Sequence, residues 1–312
     1  MAGSGTGGPV SWRRCTPTLR RRVASAREYA NQWEKSEMSD TRSERSSLIE
    51  PRSAVGHSDD LPTVIAVGVV AATLAAVCHE TLGHGLGCVV DGGRITLLTS
   101  IYVRCAGSTA LTPAAGRLGN FLAGVTAFAF LALRPTGRAA GLFLVLFGAF
   151  NLLWLFGQMV YCALLNIDDW ALVAQRMGWS WIWRPLVAAI SVAGYATSIR
   201  LSAVVLARMG APGRRAVQLA YIAGAVSTVI AGLMWRPEPI RSAIEGLLAL
   251  GLAPVGVLLA VSLANRTRDV ISARPPVARS WRWIAAGVVV FGVFLLTQSQ
   301  GLGPLAKVGL QG

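Results

Sequence analysis

The first long apolar run of the chain ends in Val77-Cys78-His79-Glu80-Thr81-Leu82-Gly83-His84-Gly85. Two of the three histidines of the protein flank a glutamate in this stretch. Ionisable side chains at the end of such a run are costly and mark functional sites. The stretch therefore sets the end of a first apolar helix and the start of a candidate site.

The spacing of the two histidines differs from the His-Glu-x-x-His of a zinc protease helix. His84 follows His79 by five residues, so a regular helix would turn their imidazoles about 140° apart. A π-bulge absorbs one extra residue and would restore convergence. A helix that ended at Gly83 would also let His84 swing back. In an unbulged helix, Glu80 and His84 would instead share a face, about 40° apart.

The composition is that of a membrane protein. Hydrophobic residues make up 53% of the 312 residues, charged residues make up 14%, and the mean hydropathy is +0.52. A soluble domain carries more charge than this. The net charge of +14 comes from arginines in the tail and between apolar runs, which is typical of cytoplasmic membrane loops. We therefore expect the lipid bilayer as a partner, and no nucleic acid.

Seven apolar runs approach the roughly 20 residues that cross a bilayer. They predict an all-α polytopic membrane protein with about 6–7 transmembrane helices, six if one run is re-entrant. Asp91 to Arg104 follows the first run and has a Gly-Gly turn before a β-prone segment, so it predicts a short β-hairpin, a re-entrant loop or an irregular loop. The predicted spans are 62–84, 114–133, 140–165, 184–206, 217–235, 243–264 and 282–300.

Arginine-rich loops alternate with loops that hold fewer arginines, which predicts a cytoplasmic N-terminus and an outer C-terminus. Residues 1–60 are predicted to be a disordered basic cytoplasmic tail, without a signal peptide, and to contain a solvated His57. Residues 61–170 would form the core that carries the site, and residues 171–312 additional transmembrane helices. We expect a multi-pass protein of a bacterial plasma membrane. The arginines assigned to the cytoplasmic side are Arg134, Arg138, Arg208, Arg214, Arg215, Arg266, Arg268, Arg274 and Arg279.

The five cysteines have no CxxC spacing, which excludes a cysteine metal site. Cys88 and Cys105 share the loop after the first span. They could form a disulfide if that loop faces an oxidising compartment, or they could stay free.

Acidic residues are scarce outside the tail, so elimination identifies a further ligand. Asp168 and Asp169 stand at the end of the third predicted span, in Asn166-Ile167-Asp168-Asp169-Trp170. In an alternating topology the first and third spans end on the same membrane face, so this pair could meet the histidines. The alternative is a hydrated loop acid that caps the next helix beside an interfacial Trp170. The acids after residue 60 are Glu80, Asp91, Asp168, Asp169, Glu238, Glu245 and Asp269.

Three segments together resemble the site-2-protease family of intramembrane zinc metalloproteases. They are the His79-Glu80…His84 stretch, the small-residue Ala115-Gly116-Arg117-Leu118-Gly119-Asn120 stretch, which is similar to the family's Gly-Pro-x-x-Asn, and Asn166-Ile167-Asp168-Asp169 in place of Asn-Pro-Asp-Gly. The likeness covers residues 62–170. The chain departs from the family in the extra residue between the histidines and in the missing Pro and Gly around the aspartates.

The resemblance implies that His79, His84 and one aspartate bind Zn²⁺ and that Glu80 activates a water molecule. It favours Asp168 slightly as the ligand, soon after the Asn, with Asp169 capping the turn. The implied function is cleavage of peptide bonds in a transmembrane peptide or other membrane-associated substrate. Alternatively, the protein is a transporter or assembly factor in which His79, Glu80 and Asp168 form a proton relay or a polar packing cluster. A metal site without catalysis is a third possibility.

Overall fold

A computed structural model describes residues 58–134, 136–209, 213–266 and 276–306. The predicted tail up to residue 57, including His57, lies outside these residues. Within them, seven helical segments are long and apolar enough to cross a membrane, which confirms the all-α polytopic fold. The seven spans are Leu61–Val90, Leu111–Leu133, Arg138–Leu165, Trp183–Arg208, Arg214–Leu233, Pro239–Arg266 and Trp281–Gln300.

Several spans are assembled from more than one regular element. The first contains α1 (Leu61–His79), a π-helix (Glu80–Gly85) and α2 (Leu86–Val90). Strands β1 (Arg94–Leu98) and β2 (Val103–Ala106) follow. The remaining elements are α3 (Leu111–Leu133), α4 (Arg138–Leu165), the short α5 (Asp168–Arg176), α6 (Trp183–Arg208), α7 (Arg214–Leu233), α8 (Pro239–Gly246), a second π-helix (Leu247–Leu252), a 3₁₀ turn (Ala253–Val255), α9 (Gly256–Arg266), α10 (Trp281–Leu296) and 3₁₀ turns at Gln298–Gln300 and Pro304–Ala306.

The first span begins at a side-chain cap that also ties it to the seventh span. Asp60 accepts hydrogen bonds from the backbone N–H and the hydroxyl of Thr63, at 3.1 and 2.7 Å. Its own N–H donates to the carbonyl of Val277, just before α10, at 2.9 Å. An N-cap of this kind satisfies helix donors that otherwise have no partner. The cap therefore fixes where α1 starts and what lies beside it.

The first and third spans are the most enclosed of the seven. Their buried aliphatic residues form one continuous core with residues from the fourth to seventh spans. Close packing supports this arrangement, since a Cβ atom at Gly68 of α1 would lie 1.9 Å from the carbonyl oxygen of Ala220 in α7. The two spans that carry the candidate site residues therefore lie in the interior of the bundle.

The segment after the first span forms the predicted hairpin. Strands β1 and β2 are antiparallel, with Arg94 opposite Ala106 and an irregularity between Ile95 and Leu97. A bridge from Leu98 to Leu302 attaches the hairpin to the chain after the seventh span. The hairpin and the segment after the seventh span thus both lie at the same end of the bundle as the His79-Glu80…His84 stretch.

Cys88 and Cys105 form a disulfide that links α2 to β2, with Cα atoms 5.9 Å apart. The sequence left the pairing open, and the structure decides it. A disulfide is stable in an oxidising compartment and is rare in a reducing cytoplasm. The bond is therefore consistent with the predicted outer location of this face.

We expect cysteines introduced at Gln175 and Arg215 to be labelled from opposite sides of the membrane, because Arg215 belongs to the arginine-rich 208–215 segment. An impermeant maleimide added to intact cells should label Gln175→Cys alone, and both after lysis. Both variants also carry Cys15→Ser, which removes the native thiol of the tail. Labelling of both sites from one side would contradict the alternating topology.

Candidate metal centre

A π-helix at Glu80–Gly85 accommodates the extra residue between the two histidines. The Nε2 atoms of His79 and His84 lie 3.2 Å apart, and both side chains are buried. This confirms the first of the two predicted devices. The early helix end at Gly83 is wrong, because α2 continues the helix to Val90.

Small residues give the His84 ring its space. A Cβ atom at Gly116 of α3 would lie 2.4 Å from His84 Nε2, and one at Gly83 would lie 2.5 Å from the Gly116 Cα. A Cβ atom at Gly119 would similarly lie 2.6 Å from the carbonyl oxygen of Cys78. The second span therefore packs closely against the first, and of these contacts the one at His84 is the shortest.

Asp169 completes a group of three side chains that could hold a metal ion. Its Oδ2 lies 3.3 Å from His84 Nε2 and 3.7 Å from His79 Nε2. A sharp turn brings it there, because Asn166 ends α4 in the left-handed conformation at φ 56° and Asp168 adopts φ 70°. Asn and Asp tolerate this conformation better than most residues. As expected from the alternating topology, the ends of the first and third spans meet.

Asp168 lies outside this group, so the geometry reverses the slight preference for it as the ligand. Its Oδ2 accepts hydrogen bonds from the Tyr161 hydroxyl at 2.7 Å, from Arg117 at 3.2 Å and from the amide of Gln158. The carboxylate is thus already occupied by donors from α3 and α4. The N-cap residue of α5 is Ile167, which makes no side-chain cap, and Asp169 Oδ2 faces the histidines.

The Nε2 lone pair of His84 is directed toward the centre of the group. His84 Nδ1 lies 2.9 Å from the carbonyl oxygen of Thr112, so Nδ1 carries the proton and donates it in the neutral ring. Such a bond fixes the tautomer that leaves Nε2 free for a metal.

Asp91, which directly follows the first span, holds Thr112 in place. It accepts hydrogen bonds from the N–H and hydroxyl of Thr109 and of Thr112, at 2.6 to 3.1 Å. The bonds from the Thr109 and Thr112 hydroxyls are the largest causes that lower the pKa of Asp91, to about 2. Asp91 is therefore ionised at neutral pH and fastens the start of α3, where His84 is anchored.

Two further residues surround His79. The Trp154 ring packs against its imidazole, with centroids 4.2 Å apart, and Asn120 is fully buried beside it. Glu80 is 2% exposed, and its Oε1 lies 4.0 Å from His79 Nε2. Within the described part of the chain, Glu80 Oε2 has no hydrogen-bond partner. The glutamate is thus beside the group and not within it.

Arg117 is a site residue that sequence reasoning missed. It is the only charged residue of the second span, which was the available signal. Its side chain is 2% exposed and lies 3.0 Å from Asp169 Oδ2. Burial alone would raise the pKa of Asp169, but the charges of His84 and Arg117 outweigh burial and hold that pKa below its usual range.

Comparison with protein-family models, curated proteins and solved structures finds no match to this chain. The resemblance to the site-2-protease family therefore stays a prediction that depends on the three segments quoted for it.

Proposed function

We propose that this chain is an intramembrane zinc metallopeptidase that cleaves peptide bonds of membrane-associated substrates. One observation carries the proposal. His79 Nε2, His84 Nε2 and Asp169 Oδ2 form a triangle with edges of 3.2, 3.3 and 3.7 Å. Zinc bonds of about 2.0–2.2 Å in a tetrahedron require ligand atoms roughly 3.3–3.6 Å apart. Every edge of the triangle lies within about 0.1 Å of that range.

The donor set also suits a catalytic centre. Two imidazoles and one carboxylate are three protein ligands, the number that leaves one zinc position open. A zinc ion held by His79, His84 and Asp169 would supply Lewis acidity and an activated water at neutral pH. Glu80 is the base in this proposal, because its carboxylate is beside the ligands and one of its oxygens is uncommitted.

The side of the group that lies at the end of the third span is the least enclosed. The Asp169 side chain is 16% exposed and that of Asp168 28%, whereas His79 and Glu80 are 3% and 2% exposed. The aspartate side is therefore the least enclosed side of the group, although Asp169 Oδ2 itself is buried. A peptide segment would have to approach from this side in an unwound form, since helical carbonyls are already hydrogen-bonded.

A second candidate function has an observation in its favour. Arg117 lies 3.0 Å from Asp169 Oδ2, so this carboxylate has a cationic partner even without a metal. A buried ion pair of this kind is a feature of polar packing clusters and proton relays. A non-enzymatic membrane protein, such as a transporter or assembly factor, is therefore the alternative.

Metal analysis separates the two. We expect the purified protein to hold about one zinc ion per chain, because three converging ligands bind zinc tightly. His57→Ala, which changes the histidine of the tail, is the matched control and should keep that content. A chain that holds no zinc above buffer level, after reconstitution with zinc, would overturn the peptidase proposal and leave the polar cluster.

A further inference from the structure

Arg117 is a buried cation shared by two adjacent aspartates. Its Nη2 lies 3.2 Å from Asp168 Oδ2 and 3.0 Å from Asp169 Oδ2. Its Nη1 donates to the side-chain oxygen of Gln158, and the side-chain N–H of Gln158 donates to Asp168 Oδ2. Both ends of the guanidinium are thus engaged by α4 and by the turn that follows it.

The arrangement solves an electrostatic problem. Two neighbouring carboxylates repel each other, and removing either from water is costly unless it is paired. A guanidinium carries five N–H donors in a rigid plane and can serve two carboxylates at once. Asp168, which is held by Gln158 and Tyr161, gives the guanidinium a fixed anchor. The remaining partner, Asp169, is then drawn toward the histidines.

We propose that Arg117 is the positioning residue of the metal centre, which keeps Asp169 Oδ2 within the triangle of ligand atoms. The inference depends on the proposed function, because it assigns Arg117 a task only if Asp169 binds a metal. It also explains why the sequence carries two aspartates in a row. Asp169 binds the metal and Asp168 anchors the arginine.

The charge of Arg117 alone would act in the opposite direction. A guanidinium beside a metal ion repels it, so its removal would strengthen binding if charge were all that mattered. However, the two aspartates carry two negative charges against the single positive charge of Arg117. The group therefore keeps a net negative charge, which attracts a metal cation. Loss of an outer partner of a metal ligand typically weakens metal binding about 10- to 100-fold. The positioning role and a mere charge effect therefore predict opposite changes in affinity.

The test measures zinc affinity by competition with a chelating dye, in the full-length protein in detergent. Arg117→Gln should bind zinc about 10- to 100-fold more weakly than wild type. Arg117→Lys should recover part of that loss, because an ammonium can contact one carboxylate but lacks the planar fork. With Co²⁺ as a spectroscopic probe, both variants should show altered visible absorption bands.

Arg184→Gln is the matched control. Arg184 lies at the same end of the bundle and donates to the backbone carbonyls of Ala163 and Leu164. The substitution should lower thermal stability and leave the zinc affinity and the Co²⁺ spectrum unchanged. Wild-type or tighter zinc binding in Arg117→Gln would overturn the inference.

A second variant tests the inference in case Arg117→Gln does not fold. Asp168→Asn weakens the anchor of the guanidinium without touching the ligand triangle, so it should weaken zinc binding by several-fold, less than loss of Arg117 does. Unchanged affinity and Co²⁺ spectra in both Asp168→Asn and Arg117→Lys would overturn the positioning role. A wild-type protein without zinc would instead overturn the proposed function, so the two failures are distinguishable.

Discussion

Glu80→Gln is expected to retain about one zinc ion per chain and to reduce cleavage of a membrane peptide by on the order of a hundredfold or more. The amide keeps the size of the carboxylate but cannot accept a proton from water. The ligand triangle does not include Glu80, and among the described residues its Oε2 has no partner to lose. Metal analysis and a cleavage assay on a single-span peptide in detergent measure the two effects.

Glu245→Gln is the matched control for this substitution. Glu245 is a partly exposed residue that pairs with Arg241 four residues earlier, at 2.9 Å. We expect cleavage by this variant to equal that of wild type. Zinc loss in Glu80→Gln would show that Glu80 is itself a ligand, and unchanged cleavage would show that another group takes the proton.

Substitutions at the proposed ligands should distinguish Asp169, which binds zinc in this proposal, from Asp168, which does not. His79→Ala, His84→Ala and Asp169→Ala are each expected to remove bound zinc, since each takes away one corner of the triangle. Asp168→Ala should retain zinc at saturating concentration, because Asp168 contacts Arg117, Gln158 and Tyr161 instead. Zinc per chain, measured after desalting from a zinc-saturated buffer, distinguishes these outcomes.

Two results would contradict this ligand assignment. Unchanged zinc content in His84→Ala would mean that the imidazoles do not converge on one ion. Retention of zinc in the double variant Asp168→Ala, Asp169→Ala would remove the third span from the site, and the peptidase proposal would fall with it.

The spans could be predicted from the sequence because their signal is local. A bilayer requires about 20 consecutive apolar residues, and this requirement can be checked along the chain without knowing the packing. The start of the hairpin has a comparably local signal in Gly92 and Gly93, which turn the chain just before β1, with Gly92 at φ 73°. The scarcity of acids also led directly to Asp168 and Asp169, since few carboxylates were available to choose from.

Only the tertiary structure decided which residues meet. The five-residue spacing was compatible with a π-helix, an early helix end or a regular helix, and the contact of α3 with the stretch from Gly83 to His84 accompanies the first of these. The approach of Asp169 to the histidines, the contact of Arg117 with both aspartates and the bond between Cys88 and Cys105 depend on contacts between residues distant in sequence. Periodicity and spacing describe one segment at a time, whereas the candidate metal centre depends on the distance between the histidines of the first span and Asp169 after the third.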